Sequence, residues 1–378
     1  MPARDVTLDP IALLLAGEYP DAETGELLAA SARSVVIADS LEGREVELVA
    51  ALDVGPNLAL VADEDTFAAL GHRVERALAS RYTVQRVVLG RRPHADVETV
   101  ARLVEAVAVG TDAIIAVGSG TINDLSKMAA LQRGVPQAVF ATAPSMNGYT
   151  SVSASITEAG FKRSVRAATP IGVFFDLAIL AAAPLQLIRA GLGDSICRPT
   201  AQADWLLAHL LLDQPYRETP FALLAGDEES LFSQSRALVS GDLAVMRNLA
   251  RTLALSGFGM TICNGSYPAS QGEHLISHYL DMMGAAAVPA LHGEQIGVAA
   301  IAMARVQEQL LNLTAPPILH PSTTRRDDLV QHFGTGLGES CWCELEPKCL
   351  DRARADALNA RLAERWDAIR TRIARVTL

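Results

Sequence analysis

What the chain lacks narrows its function first. No apolar run reaches the length of a membrane span; the longest, 177–187, is too short and is broken by Pro184. The start, Met1-Pro2-Ala3-Arg4-Asp5, has no charged segment followed by an apolar one, so no secretory signal is expected and the expected location is the cytoplasm. A basic excess is also missing: 32 Lys and Arg face 43 Asp and Glu, a net charge of -11. That balance excludes a general nucleic-acid binder but leaves room for a local positive pocket that takes a small anion. Five cysteines, odd in number and unevenly spread, suit a reducing compartment. Cys341, Cys343 and Cys349 fit no zinc spacing and read as structural. Internal repeats and low-complexity linkers are absent as well.

The chain does have apolar mass. Half of its 378 residues are hydrophobic and the mean hydropathy is +0.22, which predicts a folded globular protein. The length predicts two domains. The first 30 residues read as a helical arm. Strands are predicted over 34–38, 58–62, 83–89, 113–117, 138–142 and 172–176, with helices over 66–79, 97–109 and 125–132 between them. Alternation of this kind means βαβ units and a parallel sheet. Beyond 183 the strand signal stops. Helical segments are expected over 185–190, 198–212, 228–255, 274–283, 293–312 and 350–376. The predicted division is an α/β domain over 1–183 and a helical domain over 184–378, with a ligand cleft between them.

Two constellations carry chemistry. The first is Gly118-Ser119-Gly120-Thr121-Ile122-Asn123-Asp124, placed after the buried run Ala113–Val117 and before a helix. Glycines let the backbone approach a phosphate, and the first helical amides point at it. The third glycine of the Rossmann fingerprint is missing, and such a loop alone is also read as a tight turn. The second is scattered through the helical half: Asp194 in Gly-Leu-Gly-Asp, His274 and His278 four residues apart on one helix face, and His292 in Leu-His-Gly-Glu-Gln. One carboxylate and two imidazoles can hold a divalent cation with a position left open for a substrate oxygen. Each histidine taken singly is more often a surface or satisfied core residue than a ligand. The Glu273-His274 order is not that of a zinc protease, so spacing alone does not make a metal site.

Taken together and in order, the segments 116–124, 141–150, 191–194, 203–205, 268–274 and 291–295 resemble the sn-glycerol-1-phosphate dehydrogenases. That family lies within the superfamily of metal-dependent alcohol dehydrogenases, glycerol dehydrogenase and dehydroquinate synthase, and the similarity runs over roughly 32–350. The resemblance implies a dehydroquinate synthase-like fold: an α/β dinucleotide-binding domain followed by an all-α domain. It implies that Gly118, Ser119, Gly120, Asn123 and Asp124 serve the pyrophosphate of NAD(H) or NADP(H). Asp63 matches the acidic residue at the adenosine ribose, which favours NAD because a carboxylate repels a 2′-phosphate. Thr142 and Ser145 match positions near the cofactor, and Lys162 a lysine near the nicotinamide ribose. Asp194, His274 and His292 match the metal ligands, with zinc first and nickel, iron or manganese as alternatives. The implied reaction interconverts dihydroxyacetone phosphate and sn-glycerol 1-phosphate, in a homo-oligomer. His278 is then a substrate contact or proton relay, or else a packing residue.

Two positions depart from the family pattern, both at the substrate end. Asn147 stands where an aspartate is usual, and an amide can hydrogen-bond but cannot take a proton. Tyr267 stands where an arginine tends to precede Pro-Ala-Ser, and loss of a charged contact to phosphate costs about 1.5–3 kcal/mol. Arg198, Lys162 and Arg163 are the candidates to replace that charge. These departures keep two alternatives open. One is the same chemistry on another polyol or polyol phosphate; the other is a dehydroquinate-synthase-like cyclase or lyase with recycled NAD, although that branch carries a glutamate where Asp194 stands. A non-enzymatic scaffold is the remaining reading.

Overall fold

In the computed structural model, residues 9–284 and 290–377 are described. The first expected helical arm is mostly something else. Its residues 1–8 lie outside the described residues; Pro10–Ala16 is helical, and Gly17 then adopts the left-handed conformation that ends the helix. A small antiparallel pair follows, β1 (Tyr19–Pro20) and β2 (Leu27–Leu28). Asp21 in its turn is buried and receives the Thr219 hydroxyl and the Arg217 guanidinium from the helical half. The arm is therefore a strap between the two halves.

The predicted strands form one six-stranded sheet: β3 (Ser34–Ala38), β4 (Asn57–Asp63), β5 (Thr83–Leu89), β6 (Ala113–Gly118), β7 (Gln137–Ala141) and β10 (Gly172–Asp176), in the order β3-β10-β7-β6-β4-β5. Every pairing within it is parallel. Side chains alternate between two cores. Ile114, Ala116, Val139, Val173 and Phe175 enter one; Ile115, Val117, Phe140 and Phe174 enter the other. Burial of both faces explains why these strands read as continuous apolar runs in the sequence. After β5 the chain returns to lay β6 on the opposite edge of β4. The carboxyl ends of β4 and β6, carrying Asp63 and Gly118, thus meet where the strand order reverses, the usual crevice for a ligand in such sheets.

A further hairpin was not expected from the sequence: β8 (Ser153–Glu158) and β9 (Phe161–Arg166), antiparallel, with Thr157 opposite Lys162. Its two-residue turn, Ala159-Gly160, has positive φ at both positions (49° and 81°), as a type I′ hairpin requires. Alanine there gives none of the Asn-Gly signal that usually marks such a turn.

After β10 the described residues contain helices and no strand. The expected 228–255 segment is two helices, Ala225–Gln234 and Leu243–Ile262, separated by a short 3-10 helix, Ser235–Ser240, and a left-handed Gly241. Asp242 caps the second with its carboxylate. Arg326–Phe333 and Thr335–Leu345 are helical without having been foreseen. None of the described helices is long and apolar enough to cross a membrane.

Candidate active site

The glycine loop is tighter than the sequence suggests, because the helix behind it begins at Gly120 and not at 125. Ser119 is extended and makes no side-chain cap. Amides at the start of the Gly120–Arg133 helix therefore keep donors that a bound anion can use. Gly118 has no room for a side chain: a Cβ would lie 2.4 Å from that of Ile122. Thr142, at the end of β7, donates its N–H to Gly118 O at 3.2 Å and so lies beside the loop. Asp63 caps the next helical turn, its Oδ1 accepting from Thr66 N–H at 2.8 Å.

Two expected loop residues face elsewhere. Asn123 is fully buried, and its Oδ1 accepts from Gln137 Nε2 on β7 at 3.3 Å. The helical turn that begins at Gly120 aims this side chain toward the sheet, where its Nδ2 is buried without a hydrogen-bond partner. Asp124 Oδ2 accepts from Ser155 N–H at 2.9 Å and tethers the β8–β9 hairpin to the helix. Burial raises the Asp124 carboxyl, and Lys127 and Lys162 draw it back. Lys127, which the sequence reading passed over, is fully buried three residues further on. Its ammonium donates to Gly148 O, Ser151 Oγ and Ser153 O at 2.6, 3.1 and 2.9 Å. It clamps the segment from Gly148 to Ser153 at the start of the hairpin, and burial lowers it to about 8.

On the helical side, three elements converge. Asp194 lies in Leu185–Ile196, His274 near the start of Gly272–Met283, and His292 opens His292–Leu311. One ligand atom from each lies within 4.8 Å of the others. Asp194 Oδ1 is 3.9 Å from His274 Nε2 and 4.0 Å from His292 Nε2, beyond hydrogen-bond reach of either. Glycine makes this approach possible. A Cβ at Gly193 would sit 2.1 Å from Gly293 O, one at Gly293 1.9 Å from Ala190 O, and one at Gly191 1.6 Å from Pro144 O. The first helix is thereby seated against both the His292 helix and the 144–147 loop.

The electrostatics suit a cation. Asp194 Oδ2 accepts from Asn147 N–H at 2.7 Å, but Oδ1 is buried without a hydrogen-bond partner. Burial raises the Asp194 carboxyl, opposed by His274. An unpaired carboxylate oxygen at such depth is costly unless a cation meets it. Burial also pushes His292 well below its ordinary value, helped by repulsion from His274 and Lys162. His278 falls to about 4, first through burial and then through His274. Neutral imidazoles are the ligating form. His274 is oriented by Glu273, whose Oε1 lies 2.9 Å from Nδ1; a carboxylate only accepts, so Nδ1 carries the proton and Nε2 is free. Oxygen, nitrogen and nitrogen, with an orphaned carboxylate oxygen between them, fit a divalent metal. A second grouping, Cys197, Glu273 and His274, is also close. There the Cys197 thiol is pushed up by burial and turned to Asp194 O and Ala269 O.

At the substrate end, Asn147 touches Asp194 through its backbone, and its side chain is half-buried. Tyr267 is 55% exposed and stacks on Trp205 with ring centroids 5.9 Å apart. Ser145 lies in the loop against Tyr149, as one of the groups acting on its hydroxyl. Of the three cations weighed as replacements for arginine, Arg198 is paired with Glu228 at 2.6 Å and Arg163 with Glu158. Lys162 alone acts on Asp194, His278 and His292, and its ammonium reaches across to Asp281 Oδ2 at 2.7 Å. Glu273, Ser277, Asp281 and Gln295 surround the cluster and were not foreseen. A polar residue next to or one turn from each histidine was the signal that could have found them. The Cys341–Cys349 group enters no set of close ligand atoms among the described residues.

Comparison with known proteins agrees with this geometry. Residues 36–184 match the iron-containing alcohol dehydrogenase family. Glycerol-1-phosphate dehydrogenase [NAD(P)+] of Thermococcus kodakarensis is 34% identical over 293 residues, covering 75% of this chain and 82% of that one. The enzyme of the same name from Pyrococcus furiosus is 33% identical over 75% of this chain and 83% of its own length. Among solved structures, glycerol dehydrogenase from Schizosaccharomyces pombe shares the fold with a TM-score of 0.60, at 15% identity over 92% of this chain and 91% of that one. The sheet-then-helices architecture and the extent of these matches lead to one assignment: the chain belongs to the glycerol-1-phosphate dehydrogenase family.

Proposed function

We propose that this chain is an NAD(P)-dependent dehydrogenase that interconverts dihydroxyacetone phosphate and sn-glycerol 1-phosphate at the Asp194–His274–His292 cluster. The observation that carries the reading is the buried, partnerless Asp194 Oδ1 between two imidazole nitrogens. Asp194, His274 and His292 would hold the metal, which when bound polarises the substrate oxygen; zinc is the first choice. The amides that follow Gly118 and Ser119 receive the cofactor pyrophosphate, with Thr142 and Ser145 beside it. Asp63 takes the adenosine ribose hydroxyls and favours NAD over NADP. Lys162 brings its ammonium to the nicotinamide side of the cleft and supplies positive charge for the substrate phosphate. Asn147 hydrogen-bonds a substrate hydroxyl. His278, neutral near pH 7, relays the proton between the substrate oxygen and solvent. The same reading takes residues 1–183 as the cofactor domain and 184–378 as the metal and substrate domain, in a cytoplasmic homo-oligomer.

Tyr267 supports a second reading. A tyrosine stacked on Trp205 in place of a cation weakens phosphate recognition, which would suit another polyol or polyol phosphate. One assay separates the two: NADH oxidation by metal-reconstituted protein with dihydroxyacetone phosphate, beside dihydroxyacetone and a chelator control. Chelator-sensitive turnover of the phosphorylated ketone establishes the first reading. Turnover of the unphosphorylated ketone alone establishes the second. Absence of both, with NADH and stoichiometric metal bound, removes the first.

A further inference from the structure

A line of polar contacts runs from the hairpin to His292. Lys162 Nζ lies 2.7 Å from Asp281 Oδ2, and Asp281 Oδ1 accepts from Gln295 Nε2 at 2.9 Å. Gln295 Oε1 lies 2.6 Å from Ser277 Oγ, which lies 3.2 Å from His292 Nδ1. Ser277 is fully buried, so water does not substitute for its own two partners, Gln295 and His292.

The line has only one polarity. Asp281 is an acceptor and must be met by the amide NH2 of Gln295, which turns the Gln295 carbonyl oxygen toward Ser277. That oxygen has no hydrogen to give, so the single Ser277 hydroxyl hydrogen goes to it. Were the hydroxyl turned to His292 instead, two oxygens would face each other at 2.6 Å without a proton between them. Ser277 Oγ is therefore an acceptor toward the ring, and Nδ1 of His292 must carry the hydrogen. We propose that Asp281, Gln295 and Ser277 are positioning residues that lock His292 as its Nδ1–H tautomer. The Nε2 lone pair is thereby held toward Asp194, with Lys162 tying the line to the cofactor side of the cleft. The other tautomer gains nothing in return, since Nε2 is 4.0 Å from Asp194 Oδ1, too far to donate to it. His274 reaches the same state by a single carboxylate; His292 reaches it through a relay that crosses from one half of the molecule to the other.

The proposal rests on His292 being a metal ligand, and the test separates the two ideas. Full-length protein labelled with 15N in its histidines is read by long-range proton–nitrogen NMR without metal, with His292 assigned by its loss in His292→Ala. Zinc affinity is measured in parallel by competition with a chromophoric chelator. The wild type is expected to give the Nδ1–H pattern. Ser277→Ala and, independently, Gln295→Leu give a mixture of tautomers and zinc binding about 10–100-fold weaker, while Ser277→Thr restores both. An unchanged Nδ1–H pattern in both Ser277→Ala and Gln295→Leu overturns the relay, even if His292→Ala abolishes zinc binding. Zinc affinity untouched by His292→Ala overturns the ligand assignment and the relay's proposed consequence with it, whatever tautomer the ring adopts.

Discussion

The two halves of the site are built on opposite principles. At the sheet, the proposed cofactor contact is backbone: Gly118, Ser119 and the first turn of a helix, set at the end of a strand whose apolar residues fix its register on both faces. The buried Lys127 behind it is met by Gly148 O, Ser151 Oγ and Ser153 O, so no buried charge there waits for a ligand. Among the helices, the proposed metal contact is made of side chains from three segments, with a carboxylate oxygen buried and unpartnered. That half is costly until something fills it. The loop is thus expected to tolerate small changes in its surroundings, whereas the cluster depends on the spacing between helices.

The same substitution in each half is the strongest way to break this contrast. Gly193→Ala places a Cβ 2.1 Å from the backbone oxygen of Gly293, where neither helix can yield alone. A stability loss of about 1–3 kcal/mol is expected, with chelator-competed zinc affinity down tenfold or more and activity following it. Gly120→Ala meets Met146 Cγ at 2.9 Å, a side chain that can turn aside. Its stability is expected to move by less than about 1 kcal/mol and its zinc affinity not at all, the cost appearing in the KM for the dinucleotide. Thermal unfolding and the two binding measurements check both. Equal losses of zinc in the two variants would mean that the halves are not independent.

The contrast also explains what could be read in advance. Strands buried on two faces leave unbroken runs such as Ala113–Val117 and Gly172–Asp176, so the sheet was legible nearly to the residue. The β8–β9 hairpin was not, because Ser153–Arg166 is largely polar and its turn is Ala-Gly. The contact of Asn123 with Gln137 was not legible either, because residue-by-residue likeness does not tell which way a helical turn points a side chain. In the helical half, the three ligand candidates are far apart in sequence; their residue types suggested a cation site, but spacing alone did not join them. The glycines at 191, 193 and 293 mark close helix contacts that only the fold reveals. Glu273 and Ser277 are invisible as partners until the fold sets them against a ring nitrogen.

Asp63 sharpens the comparison on the sheet side, since it is both a helix cap and the proposed ribose acceptor. Asp63→Ser keeps an oxygen for Thr66 N–H, so the cap survives with a cost below about 1 kcal/mol. What it removes is negative charge. The kcat/KM ratio of NADP+ to NAD+ is expected to rise about tenfold, or about 1.4 kcal/mol, without effect on zinc affinity. An unchanged ratio would leave Asp63 as a cap and nothing more.

The smallest effect is expected from the helical side, in the metal-free protein. His278 has its pKa lowered from 6.5 to about 4, chiefly by burial. In the fold it stays neutral where the unfolded chain would already hold a proton. Its contribution to stability is therefore complete above about pH 6.5 and is lost as the pH falls toward 4. Urea unfolding of the wild type and His278→Gln between pH 7.5 and 4.5 isolates this contribution, because Gln cannot titrate. The wild type is expected to lose more stability over that interval than the variant, and the slope that remains in the variant belongs to the other shifted groups, among them His292, lowered by burial, and the carboxyls of Asp124 and Asp194, raised by it. Parallel curves would mean that His278 is already solvated in the metal-free protein. The helical half would then relax when empty, and the buried, unpaired state of Asp194 would not be what it holds before the metal arrives.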